Sequence, residues 1–491
     1  MTQATLKQRT VSGLFWSLSN NILSQSIFFI VGLLLARMLS PSEFGLIGMI
    51  TVFLAISQSF VDSGFGQALI RKTDATSEDY STVFYFNLAI GLIFYTVLFL
   101  SAPAISKFYN EPELKLITRV LCLVLIINSF GFIQRTILIK NMEFRRETTI
   151  VFISSVSSGL VAIFLAFKGF GVWSLVWKSL VITLLQVLLY WSFSKWRPLF
   201  VFSRNSFREL FSFGSRLMVS GLIETIFRNA YLLVIGKFFS SQDLGYYSRA
   251  EQFSNLPSRG ITEMVQKVSY PALSQVQNDH VKLKAGYKKI IQATMFISFF
   301  GMMILAATAK PFIIVLIGEK WLPSVPYLQM LCFVGMLYPL HALNLNMLNV
   351  KGRSDLFLRL EIIKKVLAVP VVLMGVFIGI YAMIAGMILI SVVSYFINSY
   401  YSGRLINYPM LEQLRDIFPS FLGASICCGV VLAVSLVLTN SPLILLISQL
   451  IAGIILTVGL AELTKNQGYF EIKGILLQKV ASKFTHGRHR N

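Results

Sequence analysis

The chain has 491 residues, of which 55% are hydrophobic and only 13% charged, against roughly 25% charged in an ordinary soluble domain. Its 43 Lys and Arg outnumber 22 Asp and Glu, for a formal net charge of +21. This composition excludes a soluble domain of useful size. The wide spread of the cations over many short segments also argues against a nucleic-acid-binding patch. A polytopic membrane protein remains.

Apolar runs of about 20 residues, enough to cross a bilayer, recur along nearly the whole chain. Hydropathy predicts an all-α integral membrane protein of about 14 transmembrane helices. The predicted spans are 12–37, 44–68, 80–105, 113–136, 147–168, 171–194, 208–236, 244–275, 286–309, 324–349, 356–377, 380–402, 413–438 and 442–463. The first carries Asn20, Asn21 and Gln25 and has no small-residue cleavage site, so it reads as a retained helix and not a signal peptide. The second carries Gln58 and Asp62. In the seventh, Glu224 and Arg228 lie four apart and share a face. The eighth is amphipathic and the most charged, with Arg249, Glu251, Arg259, Glu263 and Lys267. Arg359, Glu361, Lys364 and Lys365 sit near one end of the eleventh, where long side chains reach the headgroups.

Charge predicts the orientation. With a cytoplasmic N-terminus the outer ends and loops hold only Arg37, Lys107, Lys115, Lys168, Lys237, Lys310 and Lys320. The inner loops hold Arg135, Lys140, Arg145, Arg146, Lys195, Arg197, Arg204, Lys282, Lys284, Lys288, Lys289 and others. That bias is what the positive-inside rule requires, so both termini are predicted to be cytoplasmic. The basic tail, residues 464–491, would then lie beside anionic lipid.

The chain also repeats itself. Leu35 to Gly45 reads LARMLSPSEFG, and Ile235 to Gly245 reads IGKFFSSQDLG, with a cation, a serine, a carboxylate and a glycine in register. Further on, Pro103 and Glu111 correspond to Pro311 and Glu319, and Arg145 to Arg353. Gly171-Val172-Trp173 corresponds to Gly379-Ile380-Tyr381. Two copies of six spans share one topology, which predicts an N-lobe (1–194), a basic cytoplasmic linker (195–207) and a C-lobe (208–402). The two C-terminal helices (403–463) and the tail follow. The repeated blocks read as matched outer hinges, and the more charged second copy is the expected seat of the chemistry.

Ionisable groups inside membrane spans are costly and mark function by default. Arg228, Arg249 and Arg259 are the candidate anion contacts, because a guanidinium presents a planar fork of donors to phosphate oxygens. Glu224, Glu251 and Glu263, with Arg228, are candidates for exchangeable or purely structural ion pairs. Asp62 and Glu224 are candidate coupling-ion sites, although Asp62 also reads as a solvated helix end. Asn20, Asn21, Gln25 and Asn255 could line a polar cavity, or simply bond between helices. Trp173, Trp177, Trp191, Trp196 and Trp321 read first as interface-belt residues. Neither the four cysteines nor the four histidines form a metal motif, and no cofactor is predicted.

Four stretches carry a family resemblance. They are GYYSRAEQFSNLP (Gly245 to Pro257), VSYPALSQVQ (Val268 to Gln277), MLSPSEFGL after the first helix, and SGFGQALIRK (Ser63 to Lys72). Together they resemble the prokaryotic polysaccharide transporters, the Wzx-like flippases of the MOP superfamily. The resemblance implies a MOP/MATE-like fold in the bacterial cytoplasmic membrane. It also implies transfer of polyprenyl-pyrophosphate-linked oligosaccharide to the periplasmic leaflet by alternating access. The implied partners are that substrate, membrane lipids, a polysaccharide polymerase and other assembly proteins. A cation-coupled drug or small-solute antiporter of the same fold is the alternative. A polymerase or ligase is disfavoured, because every outer loop is short and no nucleophile–base pair or phosphate loop is present.

Overall fold

Each apolar stretch of the sequence is helical over its described residues, and polar residues set where many of the helices begin. The computed structural model describes residues 25–62, 64–437, 441–474 and 477. Most of the first predicted span, with Asn20 and Asn21, and residues 478–491 of the basic tail lie outside them.

The helices are α1 (Gln25–Met38), α2 (Pro41–Asp62), α3 (Phe65–Arg71), α4 (Ser77–Tyr109), α5 (Leu114–Leu121), α6 (Leu123–Lys140), α7 (Phe144–Phe167), α8 (Trp173–Phe193) and α9 (Arg204–Phe238). They continue with α10 (Ser241–Gln275), α11 (His280–Ile317), α12 (Ser324–Gly335), α13 (Tyr338–Val350), α14 (Ser354–Phe377), α15 (Ile380–Leu405), α16 (Met410–Val437) and α17 (Pro442–Leu463). Among the described residues, 11 helices are long and apolar enough to cross a membrane, counting α2–α3, α5–α6 and α12–α13 as single spans. The chain is a multi-pass membrane protein. Three of the expected spans are not among these 11. α1 is short over its described residues, and α10 and α14 each carry several charges that depress their hydropathy.

Caps place the helix starts. Thr76 and Asp79 form a capping box at α4, with Asp79 N donating to Thr76 Oγ1 at 3.2 Å and Thr76 N to Asp79 Oδ2 at 2.9 Å. Ser203 accepts from Ser206 N ahead of α9. Asp279 accepts from Val281 N and Lys282 N ahead of α11, and those donors hold its carboxyl below the usual range, Lys282 contributing most.

Packing divides the chain into two compact units, Met1–Gly245 and Tyr246–Asn491. In the first, α2 lies along α9, α7 pairs with α8, and α6 packs on both α4 and α8. Phe65, Ala68 and Leu69 of α3 anchor a cluster with Val83, Phe84, Ile133 and Leu210, walled by Phe86, Phe207 and Phe211. In the second unit α11 is the central post, contacting α12, α13, α16 and α17, while α15 packs on α12, α13 and α14. The helix α9, placed by the sequence at the start of the expected C-lobe, packs on α2 and α3.

The repeated blocks acquire a physical meaning. Ser40 Oγ donates to Glu43 Oε2 at 2.8 Å and accepts from Glu43 N at 3.4 Å. Ser240 Oγ donates to Asp243 Oδ2 at 2.6 Å and accepts from Asp243 N at 3.0 Å. Serine and carboxylate are therefore matched capping boxes opening α2 and α10. The repeated cation in the second block, Lys237, donates to the carbonyl of Phe108 at the end of α4 and lies 4.5 Å from the Phe108 ring centre. The glycines cross reciprocally. A Cβ on Gly45 would overlap the carbonyl oxygen of Ser241, and one on Gly245 would overlap that of Pro41. Backbone meets backbone here, and no flexible side chain can yield.

Gly45→Ala and Gly245→Ala are therefore expected to lower the thermal midpoint of the purified protein sharply or abolish its yield. Gly459→Ala, a helical site with nothing within 4 Å, should leave it unchanged or raise it slightly, since alanine gains about 1 kcal/mol over glycine in a helix. Fluorescence-detected size-exclusion melting of the three variants checks this.

Candidate functional site

The first unit holds a polar network between its helices, in which Gln58 and Asn128 are half-buried and Asp62 and Arg135 exposed. On α2, Gln58 Nε2 donates to Asp62 Oδ1 at 2.8 Å, and Asn128 Nδ2 of α6 reaches Gln58 Oε1 at 3.4 Å. Further along α6, Arg135 Nε meets Glu147 Oε1 of α7 at 3.4 Å, and Glu147 is buried. Asp62, Glu147 and the buried Tyr190 of α8 all lie within electrostatic range of Arg135. Sequence reasoning counted Arg135 as a loop cation and passed over Glu147. Their equal distance from Asn141, at the turn between α6 and α7, was the available signal, because residues equidistant from a helical hairpin's turn face each other.

On α9, Thr225 and Asn229 form a buried stripe, with Thr225 Oγ1 accepting from Ser59 of α2 at 3.1 Å and Asn229 Nδ2 donating to Thr225 O at 2.7 Å. Glu224 and Arg228 sit one residue behind on each turn and are exposed. The spacing that placed them on one face holds, and α2 takes up the neighbouring face.

The second unit separates the two arginines grouped on the eighth span. Arg249 is only 8% exposed, donates through Nη1 to Gln252 Oε1, and lies 5.9 Å from the Trp321 ring centre. Arg259 is exposed and shares one face of α10 with Glu263 and Lys267, at four-residue intervals. Glu251 and Asn255 are half-buried. The opposite stripe, Ser254, Ser258 and Thr262, is buried. Ser254 Oγ donates to Leu331 O at 3.0 Å, and Gly335 of α12 approaches Ser254 and Ser258. Gln25 is exposed at the described start of α1. The expectation that Trp321 belongs to an interface belt is corrected: it is fully buried, edge-on to Tyr246 at 6.1 Å and against Arg249. Hydropathy placed it beside a loop, and the fold turned that loop inward.

These groups have different capacities. Arg249 is held in one place by packing, and its desolvated charge is compensated by an amide and an aromatic face. Arg228 and Arg259 are open to an anion. Among the described residues, no group of three His, Cys, Asp or Glu could hold a metal ion.

The buried end of the Arg135–Glu147 pair predicts a contrast. Glu147→Ala should lower the thermal midpoint clearly more than Glu143→Ala, which removes only the exposed pair with Arg146, a type worth about 0–1 kcal/mol. Melting of both variants, with the Arg135→Ala double-mutant cycle, measures it.

The comparisons with known proteins agree with this architecture. The family described as "Polysaccharide biosynthesis protein" matches residues 34–326. The chain is 29% identical over 355 residues to the teichuronic acid biosynthesis protein TuaB of Bacillus subtilis (strain 168), spanning 72% of this chain and 73% of that protein. It is 28% identical over 337 residues to the succinoglycan biosynthesis transport protein ExoT of Rhizobium meliloti (strain 1021), spanning 68% of each. Among solved structures it is similar to the lipid II flippase MurJ in its inward closed conformation. The TM-score is 0.75 with 15% identity, covering 92% of this chain and 98% of that one, a likeness of fold alone. The chain belongs to the family of polysaccharide biosynthesis proteins.

Proposed function

We propose that the protein moves polyprenyl-pyrophosphate-linked oligosaccharide from the cytoplasmic to the periplasmic leaflet of a bacterial inner membrane, for the assembly of a surface polysaccharide. The observation that carries this reading is the family match over residues 34–326, on a chain built almost wholly of membrane-length helices. The named roles of TuaB in teichuronic acid biosynthesis and of ExoT in succinoglycan transport support it. The chemistry agrees: a lipid-linked sugar keeps its tail in the bilayer, so the protein needs only to shelter an anionic, hydroxylated head. No reaction step is required, and the protein acts as a transporter and not an enzyme.

In this reading 14 spans form two six-helix lobes, residues 1–194 and 208–402, joined by the 195–207 linker and followed by two further helices, with both termini cytoplasmic. Transport proceeds by alternating access. Arg228 and Arg259, exposed and on separate helices, receive the pyrophosphate, and Arg249 adds a fixed positive charge. Glu224, Glu251 and Glu263 exchange with the arginines as the cycle advances. Asp62 or Glu224 serves as the coupling-ion site. Asn255 and Gln25, with Asn20 and Asn21, line the polar path.

Arg228→Ala and Arg259→Ala should each cut surface polysaccharide to about a tenth or less at normal membrane levels, since a charge-assisted hydrogen bond is worth about 1.5–3 kcal/mol. Because both side chains are exposed, folding should survive. Wild-type polysaccharide in both variants, in a strain lacking the native gene, would overturn the site assignment. A polysaccharide defect that persists with the wild-type gene restored would overturn the assay.

A further inference from the structure

The inner polar end of the first unit holds a second cationic site. A cavity of 490 Å³ opens between the α3–α4 turn and α9, within the roughly 300–1,000 Å³ typical of ligand pockets. Arg71, Lys72, Asp74, Glu209, Phe213 and Arg216 line it.

Its charges are unequally satisfied. Lys72 Nζ lies 3.0 Å from Glu209 Oε2 and 3.1 Å from Asp79 Oδ2, so that ammonium is fully compensated. The hydrogen bond to Glu209, with Asp79 behind it, holds its pKa above the ordinary lysine value. Arg71 stacks its guanidinium 4.6 Å over the Phe213 ring centre. Arg216 lies on the face of α9 that also carries Glu209 and Phe213, seven and three residues away. Among the described residues neither arginine forms an ion pair, and Asp74 is the one lining carboxylate not engaged by Lys72. Two guanidinium forks, on two helices, thus border one cavity whose apolar wall is Phe213, Leu210 and Ala68. Planar forks suit phosphate oxygens, and stacking on an aromatic ring fixes one of them without consuming its charge.

We propose that this cavity binds a lipid-borne phosphate or diphosphate group, separately from Arg228, Arg249 and Arg259. Two sources share that chemistry, an anionic phospholipid headgroup and the diphosphate of a lipid-linked sugar. The second rests on the transport reading above; the anion site itself does not.

The test uses the full-length protein in phosphatidylcholine nanodiscs, titrated with inorganic pyrophosphate and read by thermal midpoint. Wild type and Arg71→Lys/Arg216→Lys should be stabilised, whereas Arg71→Gln/Arg216→Gln should show at least tenfold weaker apparent affinity. Arg216 is exposed, so Arg216→Gln alone keeps the test valid if the double variant does not fold. The response should persist in Arg228→Gln/Arg259→Gln. If it vanishes there and survives in the Arg71 and Arg216 variants, the proposal is wrong. It is equally wrong if pyrophosphate stabilises none of these proteins, or all of them equally. Replacing a third of the lipid with phosphatidylglycerol separates the sources: loss of the pyrophosphate response identifies the headgroup as occupant, and its retention identifies the diphosphate. Failure of the transport reading would show instead as normal surface polysaccharide in a strain lacking the gene, with the pyrophosphate response of the purified protein intact.

Discussion

The reciprocal crossing of Gly45 and Gly245 is the contact on which the polar architecture depends. Each glycine lets the backbone of one helix start pass against a carbonyl of the other, Ser241 in one direction and Pro41 in the other. Each start is closed by its own capping box, in which the serine and the carboxylate satisfy each other's backbone N–H. An α-helix is stiff and rises about 1.5 Å per residue. Pinning α2 at Gly45 therefore sets Asp62 about 25 Å further along, and pinning α10 at Gly245 sets Arg249 about 6 Å along.

A second constraint is the cost of charge away from water. The structure meets it in two ways. Some polar groups are consumed by packing: Arg249 by Gln252 and Trp321, Glu147 by Arg135, and the buried Asn344 by Tyr287 and Ser402. Others, Arg228, Arg259, Glu263 and Lys267, face outward on their helices. Only groups of the second kind can exchange one partner for another without leaving a buried charge uncompensated. That distinction ranks the candidate substrate contacts better than their shared residue type does.

The family places the chain in polysaccharide biosynthesis, and the likeness to a lipid II flippase is one of fold. Within that frame the first unit has polar features of its own. It carries its own polar network around Arg135, with Asp62 and Glu147, and a cationic cavity beside α3. The asymmetry of charge along the chain points to the second copy alone. The packing adds contributions from the first, because α7 and α8 bring acidic and phenolic groups to an arginine of α6.

By itself the sequence determined that the chain is helical and membrane-spanning and which family it belongs to, since hydropathy and residue order act over a few residues of one chain segment. Ser40 with Glu43, and Ser240 with Asp243, were legible as matching residue pairs, and their geometry in the structure makes them capping boxes. The family resemblance of the α10 stretch was equally legible, because it lies in residue order. Only the tertiary structure decided that Gly45 and Gly245 answer each other, that Trp321 is core, that Arg249 is enclosed while Arg259 is open, and that Glu147 meets Arg135. Each of these depends on which distant helix covers a given face. A local pattern shows that a face exists, but its neighbour is chosen by the packing of the whole unit.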